Sequence, residues 1–135
     1  VSDACFLCAT EALSGWRDDI LKSRAPVLFP VGKGELARLE IGPGLVTLVG
    51  GAPGAGKTAF TMQMVLDALR LTDDLRALVA NVEMPPGILL DRQLARLAGI
   101  DATRIRHRRL GPEHAERIDQ ALHTLEPLAE RLAFL

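Results

Sequence analysis

Tyrosine is absent from this 135-residue chain and aromatic residues make up only 4% of it, so aliphatic side chains and alanine must build the core. There is also almost no net charge: 16 Lys and Arg against 17 Asp and Glu leave a formal −1. That balance supplies no global basic field and does not by itself imply nucleic acid, though it leaves room for a local basic surface. No apolar run approaches the roughly 20 residues that span a bilayer. No signal-peptide pattern opens the chain, so a cytoplasmic protein with no membrane partner is the expectation. Cysteine is scarce too. Cys5 and Cys8 form one C-x-x-C pair, which cannot complete a tetrahedral zinc site without two more ligands, and His107, His114 and His123 lie far along the chain. A redox pair would want a strand-to-helix junction, whereas this pair lies in a helix-like stretch, so two ordinary helix-face cysteines are expected.

What is present suffices for one core, with 48% apolar and 24% charged residues. The chain begins with Val1 rather than Met, which points to a fragment or a processed product. Phe6, Ala9, Leu13, Trp16 and Ile20 recur at spacings of three and four, an amphipathic helix over about 2–22. Its stripe needs either the domain's own core or a neighbouring subunit. Pro26 and Pro30 then impose an extended segment, and a helical turn over 35–40 precedes Gly42-Pro43-Gly44.

The most informative stretch follows. Gly51-Ala52-Pro53-Gly54-Ala55-Gly56-Lys57-Thr58 is a complete G-x-x-x-x-G-K-[ST] phosphate-binding loop. Before it, Leu45 to Val49 reads as a buried parallel strand. After it, Ala59 to Leu71 has helical periodicity, with Met62, Val65 and Leu69 on one face. The glycines let the chain bend tightly and bring N–H groups close to phosphate oxygens, at the positive end of a helix. Lys57 is placed to reach the β- and γ-phosphates of ATP, and Thr58 to put its hydroxyl on Mg²⁺.

Ala77 to Val82 reads as a second apolar strand with Glu83 at its carboxyl end, where open α/β sheets bind ligands. From position alone, Glu83 suits the orientation of an attacking water and equally a loop or helix-capping role. Helices are expected from Pro85 to about Gly99, over 102–106 behind an Asp101 cap, and from Gly111-Pro112 onward; Arg131 to Leu135 begins a third strand. Arg104, Arg106, His107, Arg108 and Arg109 form the densest basic run, either a solvated connection or a contact for DNA phosphates or an acidic neighbour. No residue identifies itself as the second Mg²⁺ carboxylate or as an arginine finger. Strands alternating with helices argue an α/β domain with a parallel sheet.

Asn81-Val82-Glu83-Met84-Pro85, then Leu90 to Arg96, Ala98-Gly99-Ile100-Asp101 and Ile105-Arg106, resemble the ATPase domain of replicative DnaB-type DNA helicases. The lead-in from Gly34 to Leu39 and Gly42-Pro43-Gly44 is similar as well, so the resemblance covers about 34–135. It implies a RecA-like P-loop fold with helices on both faces of the sheet, cut short at Leu135 and preceded by a linker-like helix. The corresponding division is 1–24 for that helix and 25–135 for a partial ATPase domain. It further implies Glu83 as the catalytic glutamate, ATP and Mg²⁺ bound at 51–58 with Lys57 also catalytic, a homo-hexamer with ATP sites between subunits, and translocation on single-stranded DNA in replication. The family commonly has Arg where Ala52 stands. A recombinase or signalling ATPase of the RecA/KaiC kind, or a nucleotide-binding or oligomerisation fragment without turnover, are the other readings.

Overall fold

The structure is a computed structural model that describes residues 7–135. Its helices are α1 (Ala9–Leu21), α2 (Lys57–Leu71), α3 (Pro86–Ala98), α4 (Ala102–Arg106) and α5 (Ala115–Ala129), with 3-10 turns at Gly34–Arg38 and Pro112–His114. Two short strands, β1 (Ala77–Val79) and β2 (Leu132–Phe134), pair in parallel with Ala77 opposite Leu132 and Val79 opposite Phe134. Parallel neighbours need a long crossover, which α3, α4 and α5 supply.

Local signals set most of the boundaries. Asp101 accepts from the N–H groups of Thr103 and Arg104 and so caps α4. Pro86 occupies the first turn of α3, where its missing N–H costs nothing. Gly99 ends α3 at a left-handed φ of 62°. A Cβ at Gly99 would meet nothing within 4 Å, so the only penalty for a side chain there is the backbone conformation. Gly99→Ala is therefore expected to cost about 1 kcal/mol in denaturant unfolding, and Gly99→Asn less. Equal stabilities for the three proteins would contradict this.

Packing is divided among small clusters around α2. Met64 and Ala68 pack with Val31 on one side, and Leu66 and Leu69 with Leu128 on another. A third cluster, Ala95, Ala98, Ile100, Ile105 and Ala121, joins α3, α4 and α5. Because α2 is covered on two sides, its buried set adds Met64, Leu66 and Ala68 to Met62 and Leu69 of the expected stripe, while Val65 is only half-buried. Between α2 and α3, Arg96 bridges Asp67 at 3.4 Å and buried Gln93 at 3.0 Å, which gives the buried amide oxygen a donor.

Arg131 fastens the end of α2 to the sheet. Its guanidinium donates to the carbonyls of Leu69 (2.8 Å), Thr72 (2.8 Å) and Leu75 (3.2 Å), while its own carbonyl accepts from Ala77 N–H. A cation on the last carbonyls of a helix both caps them and complements its dipole. Arg131→Met keeps much of the stem and strands those partly buried acceptors, at an expected cost of about 2 kcal/mol in denaturant unfolding. An unchanged midpoint would contradict the assignment.

Three expectations need correction. Leu45 to Val49 forms no regular element and belongs to no ladder among the described residues, and Val46 and Leu48 are more than nine-tenths exposed. A strand exists through its neighbours, and β1 and β2 are paired with each other. The sheet is also not covered on both faces. Ala77 and Leu132 pack against the α2–α5 side, whereas Leu78 on the opposite face is exposed. A full RecA-like sheet is thus not seen, and the second strand stops at Val79 rather than Val82. Third, Cys8 stands at the N-cap of α1 rather than on a helical face, with its backbone N–H donating to Glu11. Hydrogen bonding with Thr10, backbone and hydroxyl, holds the Cys8 thiol below its ordinary pKa. Cys5, Phe6 and the start of the expected helix lie outside the described residues. No residue of α1 is buried, so Leu13, Trp16 and Ile20 take no part in the described core. No described helix is long and apolar enough to cross a membrane.

Candidate nucleotide-binding site

The loop from Gly51 to Gly56 enters α2 through two left-handed residues, Gly54 (φ 78°) and Gly56 (φ 87°). Both conformations are strained for any residue with a Cβ, which is why the pattern requires glycine there. Gly56 is the N-cap and Lys57 the first helical residue, so Thr58 lies in the first turn. Inside the loop, Ala55 N–H donates to Ala52 O at 3.1 Å, and Phe60 N–H returns to Gly56 O at 2.9 Å. The N–H groups of Gly54, Gly56, Lys57 and Thr58 take no protein acceptor among the described residues. A run of unused donors at the positive end of a 15-residue helix is chemically suited to an anion with several oxygens.

Lys57 folds back across this turn. Its Nζ donates to the carbonyls of Gly51 at 2.8 Å and Ala52 at 2.9 Å, which holds the ammonium over the loop. Thr61, one turn on, donates to Lys57 O at 2.9 Å. A cavity of 250 Å³ opens beside them, lined by Val49, Lys57, Thr58, Thr61, Val79 and Asn81 among others. Lys57 is its only charged lining residue, so the electrostatic bias is positive and unopposed by any carboxylate. The donor set fits a Mg²⁺-bound polyphosphate: backbone N–H groups and an ammonium for phosphate oxygens, and the Thr58 hydroxyl for the metal.

Glu83 follows the end of β1 in an irregular turn before α3 and is exposed. It lines a separate cleft of 360 Å³ with Met84, Pro85, Phe134 and Leu135. The structure thus gathers Lys57 and Thr58 around one cavity and leaves Glu83 on an adjoining one. Asn81 lines both. Its side chain accepts from Glu83 N–H at 3.2 Å and donates to Met84 O at 3.1 Å. Asn81 is a site residue that the motif alone does not single out, although an Asn two residues before a turn position is the signal of an Asx turn.

The basic run is exposed throughout. Arg108, at a left-handed φ of 56°, pairs with Asp91 at 2.8 Å. Arg104 meets Asp101 only through its backbone N–H. A more apolar groove of 260 Å³, lined by Leu66, Leu90, Leu94, Leu122, Leu125 and Phe134 among others, includes none of the loop residues.

No solved structure matches this chain. The family model described as the DnaB-like helicase C terminal domain matches residues 40–131, a span that contains the glycine-rich loop at 51–58, Asn81 and Glu83. The match takes in more than half of the sequence, and the chain belongs to the family of DnaB-like helicase C-terminal domains.

Proposed function

We propose that this chain binds ATP and Mg²⁺ at residues 51–58 and hydrolyses the γ-phosphate, driving movement on single-stranded DNA and duplex unwinding in replication. The observation that carries this reading is the loop itself: left-handed Gly54 and Gly56, unspent N–H donors and a positioned Lys57 at the head of α2, in a chain of this family. On binding, Lys57 exchanges its two carbonyl partners for β- and γ-phosphate oxygens, and the loop N–H groups take up the rest of the charge. The Thr58 hydroxyl would hold Mg²⁺, which when bound would supply neutralisation of charge on the phosphate oxygens. Glu83 orients a water for in-line attack: the water oxygen bonds to the γ-phosphorus, the bond to the β-bridging oxygen breaks, and Glu83 receives the proton.

Hydrolysis sites between subunits of a cytoplasmic homo-hexamer complete the reading. The family membership supports them, as do the exposed Leu13, Trp16 and Ile20 of α1, which suit a linker helix (residues 1–24) docking on an adjacent subunit beside the partial ATPase domain at 25–135. The separation of Glu83 from the Lys57 cavity favours one competing reading, a nucleotide-binding module without turnover. ATP-dependent separation of a forked duplex is the expected result. DNA-stimulated hydrolysis with no strand separation would instead identify a recombinase or signalling ATPase, and nucleotide binding with no hydrolysis the inert module.

A further inference from the structure

We infer that Asn81 is the positioning residue for Glu83, a role that rests on Glu83 being the water-orienting group proposed above. The backbone of Asn81 is anchored beyond β1: its N–H points to Leu135 O at 3.4 Å, and Leu135 N–H donates to Val79 O at 3.0 Å. The side chain carries that anchorage forward. Oδ1 accepts from the Glu83 N–H and Nδ2 donates to the Met84 carbonyl, so one amide closes both ends of the Glu-Met turn. Glu83 is exposed, and no hydrogen bond of its carboxylate to another described residue is formed, so the backbone turn sets where the carboxylate starts. Asn81 is also the residue shared by the Lys57–Thr58 cavity and the Glu83 cleft. It therefore ties the position of the glutamate to the edge of the phosphate site, without touching the reacting atoms itself.

Steady-state ATP hydrolysis and nucleotide titration of four proteins test this: wild type, Asn81→Ala, Asn81→Ser and Glu83→Gln, with the double variant as a fifth. Asn81→Ala should lower kcat about tenfold or more, because a loosened carboxylate is misplaced, while KM and ATP affinity stay as in wild type. Asn81→Ser keeps an oxygen able to accept from the N–H two residues on, and should recover most of kcat. Adding Asn81→Ala to Glu83→Gln should cause no further loss, since both changes act on one group. Wild-type kcat in Asn81→Ala beside an inactive Glu83→Gln would overturn the role of Asn81 alone. A parallel loss of ATP affinity and kcat would overturn it too, by showing a general structural or binding role. Full turnover in Glu83→Gln, or none in wild type, would remove the reading on which it rests.

Discussion

Lys57→Ala should weaken ATP binding by about 100-fold or more, since charge-assisted hydrogen bonds are each worth roughly 1.5–3 kcal/mol and every 1.4 kcal/mol is tenfold. The ammonium is held over the loop by Gly51 O and Ala52 O at 2.8 and 2.9 Å. Little freedom is then lost when phosphate replaces those carbonyls, which makes the charge effective. Removing it also strips the cavity of its only charged lining residue. Lys57→Arg should rescue little, because a planar fork cannot occupy the position of a compact ammonium. Calorimetric titration with ATP and Mg²⁺ reads the effect directly, and retained affinity in Lys57→Ala would contradict the assignment. The fold should survive, since Lys57 belongs to none of the three packed clusters.

Glu83→Gln should leave nucleotide affinity intact and lower kcat by about 10²–10⁴-fold, the range lost with a positioned general base. Gln keeps the size of the side chain and the turn closed by Asn81, so only the capacity to take a proton is removed. An equal loss of affinity in Glu83→Gln and Lys57→Ala would mean that Glu83 acts in binding, and its place in the hydrolytic step would be lost.

These two residues illustrate why some of the molecule was legible from sequence and some was not. The shape of the 51–58 loop was legible because its demands are local: left-handed Gly54 and Gly56 and a lysine at the head of a helix are fixed by eight consecutive residues. Caps are local in the same way, and the Asp101 cap of α4 and the Gly99 end of α3 fall where their residue types suggest. Pairing is not local. Leu45 to Val49 has the composition of a strand, yet nothing in those five residues names a partner, and none is found among the described residues. Arg131, reaching carbonyls 56 to 62 residues away, shows the same limit: an arginine after a helix carries no sign of the distant helix end it closes. The stripe of α2 was read in the right place but not with the right width, because Met64, Leu66 and Ala68 are buried beside Met62 and Leu69. Glu83 was expected directly at the end of a strand over 77–82, but β1 stops at Val79 and leaves Glu83 in the turn before α3. That it adjoins rather than enters the Lys57 cavity is a matter of how the turn after Asn81 is held.

Lys57 and Glu83 line different cavities, so hydrolysis requires both to reach one nucleotide. ATP hydrolysis by this chain, with and without single-stranded DNA and with Lys57→Ala as the blank, is the most direct measurement. Turnover that rises with DNA and vanishes in Lys57→Ala is the predicted result. Turnover no greater than the blank, with nucleotide still bound, would contradict the proposed hydrolysis and leave the chain a binding module.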